Sequence, residues 1–228
     1  MKISINRVSL LFGMAIAAAC TQIQAQGISP IVQEFNKNAR GSVDVTNLSD
    51  APKIVSCKAQ GFDTDEHGSL QFRPLDPALH IRIDSGREIV GARGSRRVSF
   101  DANPSALPAW FAVTCRVAPM ERSPGLSIAL ELSSVVLIHS GRVNPHDVTV
   151  TAKRVGAKVE VEVDNYGPDL TRVGPGSVLG HRKQADLRPF VLFPKQKRII
   201  EADWKEEDAA PETVRLQIGK DRFEATVE

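Results

Sequence analysis

Three cysteines, five histidines and a few clustered acids are the residues of this chain whose types could do chemistry. Cys57 and Cys115 lie far apart in sequence and outside any CxxC pair, so a redox-catalytic role is not indicated. His67, His80, His139, His146 and His181 are scattered, without a second ligand at metal spacing, and read as surface or loop residues. Asp63, Asp65 and Glu66 gather three carboxylates but lack the spacing and glycine of an EF-hand, which leaves a solvated loop. Gly174-Pro175-Gly176 has no strand-to-helix context for a phosphate loop, and its proline suggests a turn. There is no GxSxG and no P-loop lysine motif. No constellation of nucleophile, base or metal ligands emerges, so the chain reads as a non-enzyme without cofactor or metal.

The other candidate for function is a strand. Residues 125–138 read GLSIALELSSVVLI, in which Leu126, Ile128, Leu130 and Leu132 alternate with Ser127, Ala129, Glu131 and Ser133. A period of two places the four aliphatics on one face. Every half-buried strand alternates in this way, so the row either packs at home or is lent to a partner across an open sheet edge.

The N-terminus bears on the compartment. Lys2 and Arg7 precede an apolar run over residues 8–19, of signal-peptide length, and Ala25 precedes a workable cleavage point, so residues 1–25 are expected to be a signal peptide. Ala17-Ala18-Ala19-Cys20 offers an alternative, lipidation at Cys20, although the usual aliphatic three places before the cysteine is missing. No later run is long or apolar enough for a membrane-spanning helix. In an oxidising compartment Cys57 and Cys115 form an even pair that favours a structural disulfide over two free thiols. A formal charge of +2 argues against nucleic acid. The basic clusters at residues 93–97 and 195–198 lack interleaved aromatics and read as turn or edge decoration.

Periodicity indicates β-strands almost throughout, with breaks every ten or so residues at Gly, Pro and Asn. Candidate strands fall at residues 42–46, 53–62, 80–84, 97–100, 110–117 and 126–138. The polar stretch HSGRVNPH (139–146) is the best boundary, and strands resume at 148–151, 159–163, 188–193, 198–202, 213–218 and 223–227. The expectation is an all-β chain of two immunoglobulin-like sandwiches, residues 26–140 and a smaller 141–228.

The order of these features resembles the PapD-like periplasmic chaperones of pilus assembly over nearly the whole mature chain. Ile28-Ser29-Pro30 and Phe35 sit where that family's first strand lies, and SVDVTN (42–47) before Ser49-Asp50-Ala51-Pro52 is similar to its second strand and turn. WFAVTCRVAP (110–119) is similar to the strand ending in its xxREIP-like segment, and LSIAL (126–130) to the start of its donor strand. VDNYGP (163–168) resembles its V-x-N-x-x-P strand end, and VLFP (191–194) its (V/M)LxP element.

The resemblance implies two Ig-like domains in a boomerang and a periplasmic protein that stabilises pilus or fimbrial subunits by donating a strand, then delivers them to an outer-membrane usher. Leu126, Ile128, Leu130 and Leu132 would be the donor side chains. The family anchors the client's terminal carboxylate with an Arg on the first strand and a Lys late in the donor strand. By position these fall near Val32 and Val135, and neither is basic. Lys37, Arg40, Arg116 and His139 are possible substitutes, and nothing in the sequence selects among them, so the anchor is unassigned. The competing expectation is an exported Ig-like surface interaction or structural module whose aliphatic row is covered at home.

Overall fold

A computed structural model describes residues 26–120, 128–141, 145–205 and 210–228. The expected signal peptide, Cys20 and Leu126 lie outside these residues. The chain is all β, as expected. Its first ten strands are β1 (Gly27–Ser29), β2 (Val32–Asn36), β3 (Ala39–Thr46), β4 (Lys53–Thr64), β5 (Leu70–Arg73), β6 (Ile81–Ile83), β7 (Glu88–Val90), β8 (Ser95–Ala102), β9 (Ala109–Pro119) and β10 (Leu130–His139). They build two sheets, β1-β3-β8-β6 and β2-β10-β9-β4-β5, with β7 beside the start of β4. Eight more follow: β11 (Val148–Val155), β12 (Lys158–Asn165), β13 (Thr171–Gly180), β14 (Gln184–Leu187), β15 (Phe190–Leu192), β16 (Gln196–Asp203), β17 (Pro211–Ile218) and β18 (Asp221–Thr226). These form the sheets β11-β12-β16 and β14-β13-β17-β18, with β15 on β13.

Alternation decides what each strand buries. In β8, Arg96, Val98, Phe100 and Ala102 are buried and face Val43, Val45, Phe111 and Val136 in the first core. In β12, Val159, Val161 and Val163 enter the second core with Trp204 and Leu216, while Glu160 and Glu162 point outward to Lys153 and Lys197. β9 is a near-continuous apolar run because both faces are covered. Phe111, Val113, Cys115 and Val117 face the first core, and Ala112, with the half-buried Trp110, faces a third cluster shared with the other half of the chain.

Cys57 and Cys115 form a disulfide, and they lie directly opposite each other on β4 and β9. It ties neighbouring strands of one sheet rather than bridging two sheets. Across a sequence separation of 58 residues, replacing both cysteines with alanine is expected to cost about 2–4 kcal/mol, chiefly by releasing the unfolded chain. Urea unfolding with and without reductant checks this: reductant should lower the midpoint of the wild type and leave the variant unchanged.

Two asparagines end strands in the same way. Asn47 donates its side-chain amide to the carbonyls of Ala51, Val90 and Gly91 at 2.8–3.2 Å, and its oxygen accepts from the Ser49 N–H. Asn165 donates to Asp169 O and Phe193 O and accepts from the Gly167 N–H. Both are about 1 % exposed, so these backbone groups have no water to fall back on. Asn165→Ala is expected to cost roughly 2–4 kcal/mol, read as a lower urea midpoint at unchanged slope.

The expected turn at residues 174–176 is absent. The segment Gly174-Pro175-Gly176 is not a turn but lies inside β13, where the pairing with β17 slips between Val173 and Gly176. A proline cannot donate to a ladder, and a bulge is where a strand tolerates one. Gly176 is needed there, since a Cβ would lie 2.6 Å from Arg215 O.

Candidate functional site

β10 is unequal along its length. Its whole span pairs antiparallel with β9, from Leu130 opposite Val117 to Ile138 opposite Ala109. On its other edge β2 runs parallel and covers only Val135 to His139. The Ser134 hydroxyl donates to Pro30 O at 2.7 Å and the Val135 N–H to Ile31 O at 2.8 Å, which marks where that cover begins. Among the described residues nothing pairs with the edge of Leu130 to Ser134. An open edge bounded so sharply is a place where an extended peptide can add.

The side chains change along the same line. Ser134, Val136 and Ile138 are buried under the first core, Leu132 is half-buried against it, Leu130 is 40 % exposed and Ile128, just before β10, is 60 % exposed. Of the four aliphatics singled out from the sequence, Ile128 and Leu130 are thus free, Leu132 partly serves its own core, and Leu126 lies outside the described residues. Leu132, Cys115 and Cys57 stand in one row across β10, β9 and β4, so the disulfide braces the strand that templates this edge.

The covered half of β10 turns its other face to the second half of the chain. Leu137, Ala112 and Phe62 pack with Leu170 and Phe193, and Phe193 meets Phe62 and Trp110 edge-to-face at centroid distances of 5.6 and 5.1 Å. The Ser140 hydroxyl donates to the Asp169 carboxylate at 2.6 Å, and the Ile199 N–H donates to Glu66 O at 2.7 Å. Arg172 holds Glu34 at 3.1 Å, and His139 holds the other Glu34 oxygen at 3.2 Å. The two sandwiches are therefore joined by apolar, hydrogen-bonded and ionic contacts together.

Beside this junction is a cleft of about 440 Å³, lined on one side by Val32, Phe62, Val135 and Leu137 and on the other by Phe190, Phe193, Arg172 and Arg198. Val32 and Val135 are direct register partners, so the two positions at which basic residues were looked for do come together, and both are apolar. None of the substitutes considered from the sequence lines the cleft. Arg40 pairs with Asp101 on an exposed surface, His139 is taken by Glu34, Lys37 sits in the β2–β3 turn, and Arg116 faces solvent opposite Glu131.

The cations of the cleft are Arg172 and Arg198, which sequence reasoning missed. The sequence places Arg198 in a basic cluster that reads as turn or edge decoration. Instead it is half-buried, its guanidinium 4.9 Å from the Phe190 ring centre, and its Nε is buried without a hydrogen-bond partner among the described residues. Burial pushes its pKa down and the charge of Asp65 partly offsets this. The signal was parity: Arg198 shares a face with Ile200 and Ala202, opposite Val163, Val161 and Val159. Arg96, in the other basic cluster, is likewise buried, donating to Val55 O and Gly86 O beside Asp84 and Glu88. The acids of residues 63–66 serve turn structure: Asp63 pairs with Arg73, and Asp65 accepts the N–H groups of His67 and Ser69, which hold its carboxyl below the usual range.

No family model and no curated protein matches this chain. Among solved structures it is similar to the chaperone DraB of E. coli, at 12 % identity and a TM-score of 0.53, over 90 % of this chain and 97 % of that one. It is similar to the CupB2 chaperone of Pseudomonas aeruginosa, at 13 % identity and a TM-score of 0.53, over 89 % of this chain and all of that one. A chain from the complex of the Salmonella enterica SafA pilin with the SafB chaperone matches at 11 % identity and a TM-score of 0.54, covering 91 % and 98 %. At these identities the likeness establishes the fold. The chain has the two-domain, immunoglobulin-like fold of these chaperones.

Proposed function

We propose that this protein is a periplasmic chaperone that holds exported pilus or fimbrial subunits by lending them the first half of β10, and passes them to an outer-membrane usher. The observation that carries this is the open edge of Leu130 to Ser134, whose aliphatic row leaves the core at Leu132 and is exposed at Leu130 and Ile128. The fold shared with DraB and CupB2, and a pilin–chaperone complex among the similar structures, support a subunit as the occupant. Main-chain hydrogen bonds would set register, and the aliphatics would fill the subunit's pockets. In this account residues 1–25 direct export and are removed, residues 26–140 carry the donor strand, and residues 141–228 form the smaller domain that closes the cleft. No step of this activity needs catalysis.

Co-expression in a periplasm with candidate exported subunits tests the proposal. A tagged chain should co-purify one subunit at near one-to-one stoichiometry and protect it from proteolysis. Recovery of the folded chain alone, with every subunit degraded as it is without the chain, would favour the surface-module alternative.

A further inference from the structure

The open half of β10 presents more than its aliphatic row. The Val135 N–H reaches across to Ile31 O and so points toward the β2 edge, and strand alternation gives the backbone groups of Ser133 and Glu131 the same direction. An added strand would take its main-chain hydrogen bonds from these two residues. Their side chains lie on the face opposite to Leu130 and Leu132. Ser133 is already committed, since its hydroxyl is hydrogen-bonded to that of Thr114 at 3.1 Å. Glu131 is exposed, and its carboxylate has neither an ion pair nor a hydrogen bond among the described residues. Arg116, its register partner on β9, is exposed and unpaired as well.

A charge on a bare edge guards against edge-to-edge association, and for that purpose either sign serves. The surroundings of Glu131 make the sign matter. Adjacent strands lie about 4.8 Å apart, so a strand added to this edge sets one side chain directly beside Glu131, with Arg116 a further strand behind. Unlike charges directly opposite favour pairing, and like charges oppose it. A client cation would complete a row of alternating sign across the outer face, ending in Glu131 and Arg116. A client anion would meet Glu131 at close range, while Arg116 lies about 10 Å back, where salt screens it.

We propose that Glu131 is a specificity-determining residue of the open edge, and that the strand this protein accepts carries a lysine or arginine at the position beside it. This rests on the strand-donating function proposed above. It adds a charge requirement on the outer face to the apolar one that Ile128, Leu130 and Leu132 set on the inner face. The aliphatic row alone leaves register open, because sliding a strand by two residues keeps its apolar side chains over the row. The same slide takes the client's cation away from Glu131, so the pair fixes register as well as partner.

The test uses ten-residue peptides, acetylated and amidated, in which valine alternates with lysine, with glutamate or with serine. Each is titrated calorimetrically into the full mature chain at low and at high salt. At low salt the lysine peptide is expected to bind about threefold to tenfold tighter than the glutamate peptide, with the serine peptide between them. High salt should narrow the gap. Glu131→Gln should equalise the lysine and glutamate peptides, and Glu131→Lys should reverse their order. Because the side chain is exposed, neither change should move the thermal midpoint appreciably. Changing Ile128 and Leu130 together to serine should weaken all three peptides alike, which places them on this edge. Equal binding of the lysine and glutamate peptides by the wild type overturns the inference and leaves strand donation standing, with Glu131 only a guard of the edge. So does a lysine preference that survives Glu131→Gln. Failure of every peptide to bind, or binding that ignores the Ile128 and Leu130 changes, overturns both.

Discussion

Replacing Ile128 and Leu130 together with serine should abolish subunit retention and leave the chain folded. Full burial of such a side chain contributes roughly 1.5–3 kcal/mol. With Ile128 60 % and Leu130 40 % exposed in the free chain, a client has only that remainder to cover, so the pair contributes roughly 1.5–3 kcal/mol on binding. That is a ten- to hundredfold weaker complex before counting the two hydroxyls that a client would bury. Because both positions are exposed, the thermal midpoint should move little. Leu132 is left out of the test since it packs against Cys115 and its neighbours in the home core, and its loss would confuse binding with stability. Loss of the fold in the double variant, with retention never seen in the wild type, would mean that the row belongs to this chain alone.

The second large effect is expected at Phe193. This ring is about 9 % exposed and stacks edge-to-face on Phe62 and Trp110 from the other sandwich, so it is the main apolar tie between the two halves. Phe193→Ala should cost about 3–5 kcal/mol. It should also uncouple the halves, because what then holds them is the Ser140–Asp169 bond, the Glu34–Arg172–His139 group and a few contacts from Gln196 and Ile199. Calorimetry should show one transition in the wild type and two in the variant. A single transition at a slightly lower temperature would mean that the polar contacts suffice.

Much of this was legible in the chain. Alternation located β3, β4, β8, β12 and β17 because each has one face against a core, and period two is what a half-buried strand imposes, whereas β9 showed as an apolar run because both of its faces are covered. The aliphatic row of β10 was visible for the same reason. What alternation cannot show is which part of the row stays uncovered, since that depends on where β2 begins, at Val32, a hundred residues away. β5 and β7 escaped notice because they are edge strands of only four and three residues, too short to show a period. β13 was hidden by a proline that only a bulge can accommodate. Arg96 and Arg198 were legible in principle, since each sits on the core-facing parity of its strand, but their neighbouring Arg and Lys residues disguised them as turn or edge decoration. Arg172 left no sequence signal; its partner Glu34 lies 138 residues away.

The most direct test of strand donation is amide hydrogen exchange over residues 128–134, in the free chain and in the complex captured by co-expression. The open edge predicts that some of these amides exchange as freely as loop amides in the free chain and become at least tenfold slower in the complex, while Val136 to Ile138 stay protected in both. Uniform protection of 128–134 in the free chain, with no change on complex formation, would contradict it.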